Sequence, residues 1–139
     1  NMKPSEVAGL YKNESVKALV TATRGEGFGL PLVEAAACGL PVVATNWSGH
    51  LDFLDLGKWL KVDYDLVEIP KSRVDNHIFI NQTKWAEPKE DEFKQTVRKF
   101  RKKPQKPQEW AKELKDKIHE KFSFDAIEKS YEKHFGKLL

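Results

Sequence analysis

The sequence predicts an α/β fold in which helices flank a Rossmann-like parallel sheet, followed by a helical C-terminal region. Residues 17–23 and 41–45 are short apolar runs bounded by turn residues, and between them lies an alanine-rich segment that starts with a glycine turn. Such runs are typical of buried parallel strands. Strand, turn, helix and strand in this order predict a right-handed βαβ unit.

Length and composition restrict the class of protein. With 139 residues, of which 40% are hydrophobic and 32% charged, the chain suits one domain or part of one. We expect residues 1–100 to form a partial Rossmann-like domain and residues 101–139 to form helices that pack on it. The formal charge of only +3 argues against a nucleic-acid partner, which needs a clustered basic face. One cysteine and no visible signal peptide or membrane-spanning run predict a cytoplasmic location.

The first elements can be assigned in chain order. Ser5 predicts the cap of a short N-terminal helix. Residues 30–38 predict a second helix, because Pro31 suits its first turn and Gly39 suits a left-handed end. Residues 46–50 then form a loop at the carboxyl end of the second strand, which is the edge where open α/β sheets bind ligands.

The later elements begin with a short helix over residues 51–56. Alternating apolar and polar residues predict a half-exposed strand over residues 60–69, and residues 77–81 add a short strand. From Pro88 onward the pattern is helical, with residues 101–108 as a connector between helices.

Three stripes of apolar residues at helical spacing predict the C-terminal helices. The stripes are Phe93, Val97 and Phe100; Trp110, Ala111, Leu114 and Ile118; and Phe124, Ile127, Tyr131 and Phe135. Ser123 or Asp125 is the predicted start of the last helix.

The candidate site lies in residues 24–45, RGEGFGLPLVEAAACGLPVVAT. Glu26 and Glu34 stand eight positions apart, and the glycine turn between them opens a predicted helix. A helix N-terminus offers unpaired N–H groups and partial positive charge, which suit a phosphate. A carboxylate with about four lone-pair sites suits a pair of sugar hydroxyls. The run therefore combines a phosphate site with two hydroxyl acceptors, the alternative being that both glutamates are ordinary surface charges.

The runs EGFGLPLVE and CGLPVVAT resemble the shared pattern of retaining glycosyltransferases with the GT-B architecture, above all the large family-four group. The similarity extends more loosely to residues 17–23, to residues 46–50 and to KFSFDAIEKSYEKHF near the C-terminus. The resemblance implies a C-terminal domain that binds a nucleotide-sugar donor and an N-terminal domain that receives the acceptor. It also implies that this chain is the later half of the donor domain, without the basic diphosphate residues, and is inactive alone.

The resemblance assigns a role to each site residue. Glu26 would accept hydrogen bonds from the donor sugar near the reacting centre, and Glu34 would hold the ribose hydroxyls. Glycines in the turn would let the backbone N–H groups approach the sugar or the diphosphate. The residues expected to bind the donor are Gly27, Phe28, Gly29, Leu30, Pro31, Glu34, Asn46 and Gly49. The family implies no cofactor and no metal ion.

Other residues keep two interpretations each. Arg24 is either a phosphate contact or a solvated loop residue, and Trp47 either stacks on the ligand or packs in the protein. His50 is favoured as a loop or helix-start histidine. The basic residues between 98 and 106 either attract an anionic membrane surface that carries a lipid-linked acceptor or form a solvated helix end.

Three functions follow from these observations. The first is the donor-binding part of a transferase that moves a sugar to an acceptor hydroxyl with retention of configuration. The second is a non-catalytic nucleotide-sugar-binding or partner subunit of a split transferase, in which the unpaired edge of residues 17–23 promotes homodimer or partner contacts. The third is a GT-B phosphorylase or epimerase. UDP, GDP and ADP remain open as the nucleotide.

Overall fold

A computed structural model describes residues 2–136. Its elements are α1 (Pro4–Lys12), β1 (Leu19–Val20), α2 (Leu30–Ala37), β2 (Val42–Thr45), α3 (Leu51–Leu54), β3 (Leu60–Val62), β4 (Tyr64–Glu68), β5 (Lys84–Pro88), α4 (Glu90–Lys102), α5 (Gln105–Phe122) and α6 (Phe124–Phe135). A 3-10 turn over Lys71–Arg73 lies between β4 and β5.

The parallel sheet contains three strands in the order β1-β2-β3. Leu19 pairs with Val42, and Val43 pairs with Leu60. All four residues of the central strand β2 are buried, as expected for a strand covered on both faces. The βαβ arrangement of β1, α2 and β2 confirms the predicted α/β fold class, with helices flanking a Rossmann-like parallel sheet.

The core lies where α2 and α5 pack together beside the sheet. Leu32 and Ala35 of α2 share one buried apolar cluster with Phe53 of α3 and with Leu114 and Ile118 of α5. The alanine-rich face of α2 allows this close approach, because small side chains let the two helix backbones come together. The cluster fixes the position of α2 and therefore the position of the turn that precedes it.

The predicted limits of α2 are confirmed. Gly29 precedes the helix in the left-handed conformation (φ 88°), and Pro31 lies in the first turn. Gly39 follows the helix with φ 78°, which a residue with a side chain rarely adopts.

Two predictions at the N-terminal end are wrong in detail. Ser5 does not cap α1, because Pro4 already suits the first helical position and the Glu6 carboxylate accepts a hydrogen bond from Lys3 N at 2.6 Å. Residues 17–23 contribute only the two-residue strand β1, and Val20 is 43% exposed. This strand is not buried because among the described residues it pairs with β2 alone.

The predicted single strand over residues 60–69 is two strands in different sheets. Asp63 separates β3, in the parallel sheet, from β4, which pairs antiparallel with β5. The alternating pattern fits β3, in which exposed Lys61 lies between two more buried residues, whereas four of the five residues of β4 are exposed.

The predicted strand over residues 77–81 is a turn. One carboxylate oxygen of Asp75 accepts hydrogen bonds from three successive N–H groups, and these bonds lower the pKa of Asp75. The three donors are His77, Phe79 and Ile78, each at 2.9 Å. With its N–H groups turned toward one side chain, the segment cannot pair as a strand, and β5 begins only at Lys84.

The three predicted C-terminal helices are present as α4, α5 and α6. Ser123 caps α6, where its hydroxyl accepts a hydrogen bond from Ala126 N at 3.3 Å. The predicted connector over residues 101–108 is wrong: only Lys103 and Pro104 separate α4 from α5. Pro107 is tolerated because it lies in the first turn of α5, where an N–H group has no helical partner.

Candidate functional site

The candidate site lies at the carboxyl edge of the parallel sheet. Residues 21–29 follow β1 and residues 46–50 follow β2, so both loops emerge on the same side. Loops at this edge bind ligands in open α/β sheets. The structure brings the predicted turn and the predicted loop into direct contact.

Ser48 and Gly49 hold the main chain of Glu26. The Glu26 carbonyl accepts a hydrogen bond from Ser48 Oγ at 2.6 Å and another from Gly49 N at 3.1 Å. Glu26 N donates to the same Ser48 Oγ at 2.9 Å. One hydroxyl thus satisfies both polar groups of a residue far away in the chain. The backbone of Glu26 is fixed by the loop after β2.

Gly49 packs against the turn without space for a side chain. A Cβ atom at this position would lie 2.0 Å from the carbonyl oxygen of Gly27 and 2.9 Å from that of Glu26. Both obstacles are backbone atoms, so no rotamer change could relieve the overlap. This close approach is a packing role for Gly49; its contact with a donor stays a prediction.

Gly29 shapes the entry to α2. Its left-handed conformation turns the chain, and a Cβ atom there would lie 3.1 Å from Leu32 and 3.2 Å from the Cβ atom of His50. Within the described residues, no protein atom accepts a hydrogen bond from the N–H groups of Phe28, Gly29 and Leu30. Three unpaired donors therefore meet at the positive end of the helix dipole.

One apolar side chain of the turn packs on other rings of the protein, and two others are exposed to solvent. The Phe28 ring packs on Phe53, with ring centroids 5.2 Å apart, and on Phe122 at 6.4 Å. Leu30 is 64% exposed, and Pro31 is exposed beside it. The Phe28 side chain anchors the turn to the protein, whereas the Leu30 and Pro31 side chains remain accessible.

The two predicted carboxylates have different surroundings. Glu26 is half-buried and Glu34 is exposed, and neither side chain forms a hydrogen bond or ion pair with a described residue. Glu34 lines a cleft of about 450 Å³ between α1 and α2, together with Tyr11 and Cys38. Burial of Tyr11, reinforced by the charge of Glu34, raises the pKa of the phenol.

Asn46 and His50 tie the loop after β2 to the sheet. Asn46 N donates to the Val62 carbonyl at 2.8 Å. His50 is fully buried at the start of α3, with Nε2 2.7 Å from the Thr45 carbonyl. A carbonyl only accepts, so Nε2 carries the proton in this contact. The predicted helix-start position of His50 is confirmed.

Arg24 bridges the turn to the hairpin formed by β4 and β5. Its guanidinium binds both carboxylate oxygens of Glu87, at 2.5 and 2.7 Å, and lies 4.7 Å from the centre of the Trp85 ring. The hydrogen bond raises the pKa of Arg24 and, against a smaller opposing effect of burial, lowers the pKa of Glu87. Neither role considered for Arg24, phosphate contact or solvated loop residue, includes this bridge.

A cavity that the sequence patterns did not indicate lies between the turn and the hairpin. Its volume is about 600 Å³, and the residues that line it include Gly25 but not the adjacent Glu26. Trp47 also lines it, and the Trp47 ring packs on Tyr64 at 5.1 Å. Exposure does not alternate along β5, and no sequence pattern indicated this strand.

Other classes of site can be addressed for residues 2–136. Within this range no group of three or more His, Cys, Asp or Glu side chains is placed to hold a metal ion. None of its helices combines the length and the apolarity required to cross a membrane. The basic side chains of the segment 98–106 are exposed: Arg98, Lys99, Arg101, Lys102, Lys103 and Lys106.

Comparison with known families gives one match. The sequence pattern of the family described as glycosyl transferases group 1 matches residues 1–117. This range includes the turn, the loop after β2, the hairpin and most of α5. Searches among curated proteins and among solved structures gave no match.

Proposed function

This chain belongs to the glycosyl transferases group 1 family, and we propose that its sheet edge is the donor site of a retaining glycosyltransferase with the GT-B architecture. The donor is a nucleoside diphosphate sugar, and the product is a glycoside of an acceptor hydroxyl. The reaction breaks the bond between the anomeric carbon and the diphosphate, which leaves with the electron pair. The acceptor oxygen bonds to that carbon, and its proton passes to the diphosphate.

One observation carries this proposal. The unpaired N–H groups of Phe28, Gly29 and Leu30 meet at the start of α2, where the exposed Phe28 and Leu30 flank the buried Gly29. Helix N-termini with such donors bind phosphate groups. Negative charge builds on the diphosphate as the glycosidic bond breaks, so fixed donors at this point stabilise the transition state more than the ground state. The proposal requires neither a metal ion nor a cofactor.

The two glutamates take separate parts of the donor in this proposal. Glu26 accepts hydrogen bonds from the sugar hydroxyls, because its backbone is locked beside the turn while its carboxylate has no partner among the described residues. Glu34, on the exposed face of α2, accepts those of the ribose. Gly27, Pro31, Asn46 and Gly49 complete the donor site around them.

The acceptor half is assigned to another domain or chain. The proposed enzyme needs a second domain opposite the carboxyl edge of the sheet, and this chain supplies the donor half. In this proposal the described residues alone turn over slowly, because part of the acceptor site and the basic diphosphate residues are supplied elsewhere. Such a chain acts in the cytoplasm, where nucleotide sugars are made available.

A non-catalytic partner subunit is the second candidate, and the exposed edge strand favours it. Val20 on β1 is 43% exposed, and Phe124 on α6 is 80% exposed. An unpaired strand edge and an apolar helix face both promote association. Sedimentation at increasing protein concentration tests this second candidate: a subunit that associates through these surfaces forms larger species, whereas a monomer at all concentrations argues against it.

Calorimetric titration with UDP, GDP and ADP tests the donor site. We expect one of these nucleotides to bind the wild-type chain, and Glu34→Ala to weaken binding by about 10-fold to 100-fold, since hydrogen bonds to a charged group are worth about 1.5–3 kcal/mol. Glu128→Ala on α6 is the matched control, because Glu128 is also exposed on a helix. Equal affinities of wild type and Glu34→Ala, or no binding of any of the three, would refute the proposal.

A further inference from the structure

The cavity between the turn and the hairpin has the composition of a small-molecule site. Its volume of about 600 Å³ is within the usual range for ligand pockets, which combine aromatic walls with a few polar groups. The lining residues that matter here are Thr23, Trp47, Phe79, Thr83, Lys84 and Trp85.

The aromatic walls are held in fixed orientations. Phe79 meets Trp85 edge to face, with ring centroids 5.9 Å apart, and Arg24 covers the Trp85 ring. Tyr64 supports the Trp47 ring from the other strand of the hairpin. Rings that are already ordered can bind a flat apolar surface without a further loss of side-chain freedom.

Polar groups also line the cavity. The Lys84 side chain is exposed, and its ammonium pairs with no carboxylate of the described residues. The Thr83 hydroxyl donates to the Ile80 carbonyl at 2.6 Å and keeps lone pairs that can accept a hydrogen bond. The cavity therefore combines aromatic faces with a cation and a hydroxyl group.

We propose that this cavity binds a sugar ring of the acceptor. A pyranose presents C–H groups on its faces and hydroxyl groups around its edge, which matches a lining of aromatic rings with an ammonium and a hydroxyl group. A purely apolar occupant would use the aromatic walls but not the Lys84 and Thr83 groups of the lining. The acceptor role of this sugar rests on the proposed function, whereas the binding of a sugar in the cavity does not.

Position supports the acceptor role. Gly25 lines the cavity and is followed by Glu26, and Trp47 lines it and is followed by Ser48, which holds the Glu26 backbone. A sugar in the cavity and a donor sugar at Glu26 would be neighbours across the same turn. The donor half of the enzyme thus contributes to acceptor binding through its hairpin.

Four tryptophans make the test specific. In a ¹⁵N-labelled chain each indole N–H gives its own signal, which Trp→Phe variants assign. We would titrate methyl glucoside, methyl galactoside, methyl mannoside and N-acetylglucosamine separately, and UDP, GDP and ADP in parallel. At least one sugar should move the signals of Trp85 and Trp47, whereas those of Trp59 and Trp110, which line other parts of the protein, stay unchanged.

Variants check the contact. Trp85→Ala should weaken sugar binding at least tenfold and Trp85→Phe less so, because phenylalanine keeps an aromatic face. If Trp85→Ala does not fold, sugar binding by Trp47→Ala tests the same cavity. If no sugar moves the Trp85 and Trp47 signals, the inference is wrong, whether or not a nucleotide binds. If the sugar binds there and no nucleotide binds anywhere, the donor proposal fails and the sugar site stands.

Discussion

The turn before α2 and the β4–β5 hairpin face the same edge of the sheet, but different contacts hold them. At the turn, glycine backbones touch: a single methyl group on Gly49 would overlap the Gly27 carbonyl. At the hairpin, side chains make the connection, through Arg24, Glu87 and Trp85. Backbone contacts leave no room for substitution, whereas side-chain contacts can be exchanged. We therefore expect substitutions at the turn to affect folding first and those at the hairpin to affect ligand binding first.

Gly49→Ala should give the largest effect. The new Cβ atom would need two backbones to move apart, so we expect a loss of about 3 kcal/mol in the free energy of unfolding. Urea denaturation followed by circular dichroism measures it. Gly27→Ala is the matched control, since a Cβ atom there has no neighbour within 4 Å; we expect a change within about 0.5 kcal/mol. Equal losses for both variants would contradict the backbone contact at Gly49.

Ser48→Ala should have the next largest effect. It removes the hydroxyl that bonds both polar groups of the Glu26 backbone, and an unsatisfied polar group costs about 1–3 kcal/mol. We expect destabilisation in this range by urea denaturation, together with weaker nucleotide-sugar binding. Ser72→Ala is the comparison in the hairpin, where the serine is exposed. A stability like that of the wild type for Ser48→Ala would show that the loop does not depend on this hydroxyl.

Glu87→Gln should have a small effect that depends on pH. Because Arg24 lowers the pKa of Glu87 in the folded state, the ion pair stabilises the fold above the ordinary carboxyl pKa of about 4.3. This contribution is lost as the pH falls through the lowered pKa of Glu87. Since the pair is half-exposed, we expect a difference of about 0.2–1 kcal/mol between wild type and Glu87→Gln near neutral pH, and none in stronger acid.

Unfolding curves at several pH values measure this difference. Glu68→Gln on β4 is the control, because Glu68 is exposed and forms no ion pair with a described residue. A gap between wild type and Glu87→Gln that grows as the pH falls would be opposite to the effect of a lowered Glu87 pKa and would exclude the Arg24 bridge as its cause.

Structure formed within a short stretch of the chain could be predicted from the sequence, whereas contacts between distant segments could not. Gly29 and Gly39 mark both ends of α2 within a short stretch, so the βαβ unit could be predicted from local patterns. The hairpin could not, because Leu66 on β4 pairs with Ala86 on β5 across a long intervening segment. The Asp75 turn inside that segment looks apolar in sequence and resembles a strand, although its N–H groups bond to one carboxylate.

The contacts of the candidate site also include some that could be predicted from local patterns and some that could not. The turn and the loop after β2 could be predicted to meet, because both follow parallel strands. The hydroxyl of Ser48 on Glu26 and the ion pair of Arg24 with Glu87 join distant parts of the chain, and no local spacing indicates either. The roles of Glu26 and Glu34 toward a donor rest on the family resemblance and stay predictions.

The most direct test of the donor site is a map of backbone amide signals during titration with UDP, GDP and ADP. If the start of α2 holds the diphosphate, the amides of Phe28, Gly29 and Leu30 should shift with one of these nucleotides. The hairpin amides of residues 64–88 should stay in place. Shifts confined to the hairpin, or none at the start of α2 with any of the three nucleotides, would contradict a donor site at this edge of the sheet.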